Sequence, residues 1–309
     1  MVISTKQVGV IGAIHLDRIA HADRPFKPDT STPGKIMSRA GGVGANIARA
    51  MARLGMQPTM HGCLGDDADG AFLAKSLTEC GIDTSSITTV ADGRTGSYLA
   101  LHNPDGTLFS AISDSEITAK VSFSEANPIP QALLDCDIWL CETNLEEATL
   151  LSLADAKEHR LLAADTVSIA KAPKLRSLLS KIDILFTNTD EATALLECKP
   201  GEFSAEELAQ KLASAGIPIV LVSNSNKPLA LHCAGSTSSH TPFSVVPVDV
   251  TGAGDAFIAG FLYASCLNEA PVSAVKSGLA SASITVEATG AAPETLSPQS
   301  LKARLLEHA

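Results

Sequence analysis

Short apolar runs of buried-strand length alternate with amphipathic helical segments through most of this chain, and that alternation constrains the fold more than any other feature. Parallel strands cannot be joined by a tight turn, so strand–helix–strand order produces a mainly parallel sheet with helices on both faces. Candidate core strands are Val8 to Ala13, Thr59 to Leu64, Ile138 to Cys141, Leu161 to Ala164, Ile184 to Phe186 and Ile219 to Val222. Val43, Ile47, Ala50, Met51 and Leu54 recur at helical spacing and mark one helix face, with Gly55 placed to end it in a left-handed conformation. Phe257, Gly260, Phe261 and Ala264 repeat the pattern. One stretch breaks it: Ser97 to Leu101 and Thr107 to Ile112 flank Asn103-Pro104-Asp105-Gly106, a turn signal that predicts a hairpin. No internal repeat, coiled coil or long linker divides the chain. The expectation is one α/β domain over residues 1–309 carrying a small β excursion.

Composition removes several classes of function. With 309 residues, 45% of them hydrophobic, the chain can bury a sizeable core, which excludes a disordered or fibrous protein. There are 34 acidic against 23 basic residues, a formal charge of -11, and no basic run, which argues against nucleic-acid and anionic-membrane partners. The seven cysteines are odd in number, form no Cys-x-x-Cys pair and have no histidine at zinc-finger spacing, so buried reduced thiols are expected. His15, His21, His61 and His102 show no metal spacing either. Val8 to Ile14 is too short to span a bilayer and lacks a small-residue cleavage site, and reads as the first strand of a cytoplasmic protein.

Asp249-Val250-Thr251-Gly252-Ala253-Gly254-Asp255 is the segment with the most chemistry. It follows the β-like Phe243 to Val248 and opens a helix expected to begin near Ala256. Two glycines allow a tight turn with its amides pointing one way, and a helix start adds unpaired donors and a positive dipole end, so the loop suits an anion. A carboxylate at the mouth of an anion site repels phosphate unless it accepts a proton from an attacking hydroxyl, the role Asp255 fits. Gly-x-Gly-Asp alone describes an ordinary capped helix start equally well. A second cluster, Gly41-Gly42-Val43-Gly44-Ala45-Asn46, lacks both Gly-x-Gly-x-x-Gly spacing and the Gly-Lys-Ser/Thr ending of a P-loop. It leaves close backbone approach to a ligand, with the Asn46 amide donating to and accepting from hydroxyls, as a sugar requires.

Taken in order and separation, Gly41-Gly42 to Asn46, Asn188-Thr189-Asp190-Glu191 and Asp249 to Asp255 resemble the motifs of the ribokinase-like (PfkB) carbohydrate kinases over nearly the whole chain. The resemblance implies a ribokinase-like αβα sandwich with a small β lid, here residues near 16–38 and 95–112, and a small nucleoside or sugar as substrate. It also implies ATP and Mg2+. By the same resemblance Asp255 is the catalytic base; Gly252, Ala253 and Gly254 are the anion hole; Asn188 and Glu191 organise magnesium and phosphate; and Asp17, Gly42 and Asn46 hold sugar hydroxyls. Asp249 and Thr251, with the loop around Gly290, match a monovalent-cation (K+) site, and lid strands in the family pair between subunits, which suggests a homodimer. Thr32-Pro33-Gly34-Lys35-Ile36, Val43, Ser97-Tyr98-Leu99, Ile112-Ser113-Asp114 and Asp165-Thr166-Val167-Ser168 resemble the pseudouridine-kinase branch of the family, which implies phosphorylation of a 5′-hydroxyl. One stretch departs from the pattern. Where the family has Thr-x-Gly-x-x-Gly near the nucleotide, this chain reads Val222-Ser223-Asn224-Ser225-Asn226-Lys227, leaving Asn224 to turn left-handed and Lys227 to meet phosphate. That departure keeps a catalytically weak sugar- or nucleoside-binding sensor as the reading from another class, beside kinases of ribose, adenosine or fructose.

Overall fold

The computed structural model describes residues 6–307. Its strands are β1 (Val8–Ile11), β2 (His15–Ala22), β3 (Gly34–Gly41), β4 (Thr59–His61), β5 (Cys63–Gly65), β6 (Thr88–Val90), β7 (Gly96–His102), β8 (Leu108–Asp114), β9 (Ile138–Glu142), β10 (Leu161–Asp165), β11 (Ile184–Asn188), β12 (Ile219–Asn224), β13 (Lys227–Cys233) and β14 (Ser236–His240). Eight of them form the main sheet in the order β14-β13-β12-β11-β10-β9-β1-β4, parallel from β12 to β4 and antiparallel at the β13 and β14 edge. Strands β1 and β9 are buried along their whole length, as expected of parallel strands covered on both faces.

The covering helices are α1 (Val43–Arg53), α2 (Ala68–Glu79), α3 (Gln131–Leu134), α4 (Glu147–Ala156), α5 (Thr189–Leu195), α6 (Ala205–Ser214), α7 (Ala253–Cys266), α8 (Pro271–Val286) and α9 (Pro298–Glu307). One core layer packs α1, α2, α7, α8 and α9 on the sheet; the other packs α4, α5, α6 and the 3₁₀ segment Ala172–Lys181. Helix α7 lies between α1 and α8, and Gly260 lets α8 approach so closely that a Cβ there would sit 2.3 Å from Ser281 Oγ. Phe186 of β11 meets Phe257 and Phe261 of α7 edge-on. The helix that carries Asp255 is therefore held on several sides.

Strands β3, β2, β7 and β8 form a separate four-stranded sheet inserted between β1 and the later core elements. Chain direction around β1 creates the switch point of the main sheet, because β4 follows on one side and β9 returns on the other. A crevice opens at the carboxyl ends of the strands at such a point.

Four local expectations are corrected. Phe243 to Val248 forms no strand: Pro242 and Pro247 have no N–H to place in a ladder, and Val246 and Val248 are exposed. Helix α7 begins at Ala253, three residues before Ala256, because Gly252 adopts the left-handed conformation and serves as its N-cap. Thr59 to Leu64 divides at Gly62 into β4 and β5, which belong to different sheets. In the turn between β12 and β13 the left-handed residue is Ser225, with φ 55°, while Asn224 stays in the strand opposite Lys227.

Candidate active site

The carboxyl ends of the parallel strands bring together side chains that are distant in sequence. Gly12 and Ala13 follow β1, and Glu142, Asp165 and Asn188 end β9, β10 and β11. Above them stands the first turn of α7. A cavity of about 240 Å³ lies between, lined by Asp165, Asn188, Glu191, Gly254 and Asp255 among others.

Asp255 occupies the third position of α7, where the first amides have no intrahelical acceptor. Its Oδ2 accepts a hydrogen bond from Asn46 Nδ2 at 2.9 Å. Asn46 is fixed in turn by Arg49, whose Nη2 donates to Asn46 Oδ1 at 2.5 Å and to the Ala40 carbonyl at 2.6 Å. Burial pushes the Asp255 carboxyl up to about 7; the bond from Asn46 opposes the shift and the charge of Glu142 adds to it. A base poised there is half ionised at neutral pH, the condition that suits general-base catalysis.

The two glycines beside Asp255 serve different ends. Gly252 has φ 77°, and a Cβ on it would lie 2.3 Å from Ala291 Cα, so the turn admits no side chain. Gly254 has open space where its Cβ would be, so its amide and the absent side chain leave room for a ligand. The Ala253 N–H is drawn 3.3 Å from the Val250 carbonyl and is the least available of the three.

Asp17 sits on β2 with its carboxylate against Gly41, where a Cβ would come within 2.1 Å of Oδ2. Burial raises its carboxyl to about 6 against the opposing charges of Arg49 and Arg39. Gly42, at φ 96°, packs on the Ala13 carbonyl. Both glycines are needed because protein atoms already stand where a Cβ would be.

Asn188 and Glu191 close a reciprocal cap on α5: Asn188 Oδ1 accepts from Glu191 N at 2.9 Å, and Glu191 Oε2 accepts from Asn188 N at 3.4 Å and from Thr166 Oγ1 at 2.5 Å. Asp165 beside them is pushed well above the usual carboxylate range by burial and by the charges of Glu191, Asp255 and Glu142. Such a concentration of carboxylates suits a divalent cation bound largely through water and phosphate. Among the described residues no group of three or more His, Cys, Asp or Glu forms a metal site complete in itself.

Asp249, Thr251 and Gly290 also meet. Asp249 Oδ1 accepts from Thr251 N at 2.9 Å and Oδ2 from Gly290 N at 3.0 Å, with Arg39 Nη1 of β3 at 3.9 Å. Burial, which raises the Asp249 carboxyl, is outweighed by these bonds and by Arg39, so it lies below its usual range. Arg39 is the cation of the protein that faces Asp249 here.

Beyond Gly254 the cleft runs into a chamber of about 640 Å³ that shares Ser223, Leu229 and Phe257 with the inner cavity and is walled by Phe243, Leu279 and Val286. Asn224 and Lys227 are among its lining residues. A helix start with unpaired amides, opening onto a largely apolar chamber on one side and onto the Asn46 amide on the other, has the layout for moving a phosphoryl group between two bound molecules.

A family model, pfkB family carbohydrate kinase, matches residues 5–297. The chain belongs to the PfkB family of carbohydrate kinases. It is 30% identical to a ribokinase from Haemophilus influenzae over 98% of this chain and 99% of that one, and 27% identical to a pseudouridine kinase from Escherichia coli over 84% and 83%. A ribokinase from Arabidopsis thaliana, solved in complex with ribose and ATP, superposes with a TM-score of 0.87 over 97% of this chain and 99% of that one at 24% identity, and shows the shared ribokinase-like fold.

Sequence reasoning missed Glu142, Asp165 and Arg49 as neighbours of Asp255 in this PfkB site. Glu142 is almost fully buried and accepts from Ala13 N and Asn144 N, each at 2.6 Å. The available signal was an acidic residue ending a parallel strand, as Glu142 and Asp165 both do.

Proposed function

We propose that this PfkB kinase transfers the γ-phosphoryl group of ATP to the 5′-hydroxyl of pseudouridine, giving pseudouridine 5′-phosphate and ADP in the cytoplasm. The observation that carries the reading of transfer to a hydroxyl is Asp255, raised to about 7 and held by Asn46 between the hydroxyl-binding groups and the first-turn amides of α7. ATP as donor is supported by the apolar chamber beside Gly254 and by the ribose and ATP complex of the Arabidopsis ribokinase. Pseudouridine as acceptor is supported by the stretches around Gly34, Tyr98, Ser113 and Thr166 and by the relative in Escherichia coli. Ribose is the second reading, favoured by the end-to-end match to the Haemophilus ribokinase.

Asp17 and Asn46 hold sugar hydroxyls and aim the 5′-oxygen at Asp255. Asp255 takes the hydroxyl proton as the new oxygen–phosphorus bond forms and the bond to ADP breaks, so the proton ends on the carboxylate and the charge leaves with ADP. The amides of Gly252, Gly254 and Asp255 receive the migrating group without reorganising, and positioning supplies most of the rate. Asn188 and Glu191 would hold magnesium, which supplies neutralising charge at the phosphates. No step requires potassium, since Arg39 already faces Asp249. The four-stranded sheet acts as the lid, and its exposed Ile36 and Ile112, on the face away from Asp17, suit pairing with a second copy.

The test is ADP release with ATP and magnesium against pseudouridine, uridine, adenosine, ribose and fructose in parallel. Selective turnover of pseudouridine is expected. Selective turnover of ribose replaces the acceptor, and saturable binding without ADP favours the sensor.

A further inference from the structure

A third chamber, of about 850 Å³, lies between the segment around Arg94, the end of β8 at Ser113 and Asp114, and the side chains of Asn144 and Lys171. A packing contact and three hydrogen bonds chain its inner wall to the acceptor site. Gly42 packs on the carbonyl of Ala13; Ala13 N donates to Glu142 Oε1, Asn144 N donates to Glu142 Oε2, and Lys171 Nζ donates to Asn144 Oδ1. Asn144 is almost fully buried, and its carbonyl and backbone N–H are both engaged. Lys171 is different: an ammonium has three N–H donors, and one goes to Asn144. A second incomplete group stands close to it. His15, between Gly41 and Gly96 in the lid sheet, has a buried Nε2 without a hydrogen-bond partner. Burial, followed by the charge of Lys171, lowers its pKa to about 4 and keeps the ring neutral.

The chemistry of the wall selects the ligand. It carries as many carboxylates as cations, among them Asp114 and Glu146 against Lys171 and Lys174. A phosphate gains little from a wall of balanced charge, and an apolar group would strip water from these charges without replacing it. A neutral ring with carbonyl oxygens and N–H groups can use both signs.

We propose that Lys171 reads the group that the acceptor sugar carries at the end remote from the transferred hydroxyl, donating from Nζ to a carbonyl oxygen of a uracil-type ring. Ser113 of β8, paired with Tyr98 and so on the sheet face of Asp17, offers the hydroxyl oxygen that accepts from a ring N–H. The Glu142–Asn144 pair positions Lys171 relative to the sugar site, so the two ends of the acceptor are measured against one framework. This inference deepens the nucleoside reading above and rests on it.

The experiment is calorimetric titration, without ATP, of pseudouridine, ribose and ADP into the wild-type, Lys171→Met and Lys211→Met proteins, each checked by its melting temperature. Lys171→Met is expected to weaken pseudouridine binding roughly tenfold to a hundredfold, the range a hydrogen bond from a charged donor carries, and to leave ribose and ADP unchanged. Lys211 of α6, whose ammonium lies over the Phe203 ring and lines neither chamber nor site, is the control and should change none of the three. Should Lys171→Met fail to fold, Lys171→Gln, which keeps two N–H donors, is expected to retain more of the affinity than Lys171→Ala. Equal weakening of pseudouridine and ribose, undiminished pseudouridine binding, or no binding of pseudouridine to the wild type overturns the proposal. Binding through Lys171 together with phosphorylation of a different acceptor would instead sink only the function proposed above.

Discussion

Replacing Asp255 by asparagine separates the catalytic role proposed for this carboxyl from its cost to the fold. In the folded protein it titrates near 7, against 3.8 for an exposed aspartate. Between about pH 4 and pH 7 the folded state therefore keeps a proton that the unfolded chain has released, and stability falls as pH rises through that window. Above pH 7 the folded state bears the full cost of a charged Asp255, at most on the order of 4 kcal/mol at about 1.4 kcal/mol per pH unit. Asp255→Asn removes this cost while its amide oxygen can still accept from Asn46 Nδ2, now 2.9 Å from the carboxylate. The variant should melt several degrees higher than the wild type at pH 8 and at the same temperature at pH 4. It should also bind the acceptor almost unchanged and lose turnover by about 10²–10⁴-fold, the contribution of a positioned base. Thermal melts at pH 4, 6 and 8 and coupled ADP release read these outcomes. A variant that turns over within roughly tenfold of wild type refutes the base assignment, and one that is less stable at pH 8 refutes the argument from burial.

Gly252→Ala should cost about 2–5 kcal/mol, from a left-handed alanine and a clash with Ala291, whereas Gly254→Ala should leave the melting temperature unchanged and raise the KM for ATP; melts and kinetics on both variants separate the two roles. Asn46→Ala should raise the acceptor KM, leave that for ATP alone, and move the lower limb of the kcat/KM pH profile above 7, because it removes a hydrogen bond that favours the charged Asp255. Exchanging sodium for potassium should leave wild-type turnover unchanged, while Arg39→Ala should make turnover respond to potassium; a strong potassium requirement in the wild type would show that Arg39 does not serve Asp249.

Much of the architecture was legible because parallel strands buried on both faces appear as continuous apolar runs, as Val8 to Ile11 and Ile138 to Leu140 do. The Asp249 to Asp255 segment was legible because a left-handed glycine and a helix start leave a local trace. The β-branched residues between Phe243 and Val248 misled, since their propensity for strands counts for nothing where two prolines deny the ladder its donors. Lys171 left no local trace, and Glu142 and Asp165 left only an acidic residue at the end of an apolar run. They meet only because β1, β9 and β10 are neighbours in register, with Ile11 opposite Cys141 and Glu142 opposite Asp165. Arg49 was hidden for a related reason: as a charged residue on an amphipathic helix it looks like a solvated one until Asn46 and the Ala40 carbonyl are found beside it.

The most direct test of phosphoryl transfer to a 5′-oxygen is phosphorus NMR of the product formed from pseudouridine, ATP and magnesium, run beside the Asp255→Asn variant. A phosphomonoester coupled to the 5′-methylene protons, absent with the variant, is the predicted result. Release of inorganic phosphate with the nucleoside recovered intact, or the same ester formed at the same rate by the variant, would contradict it.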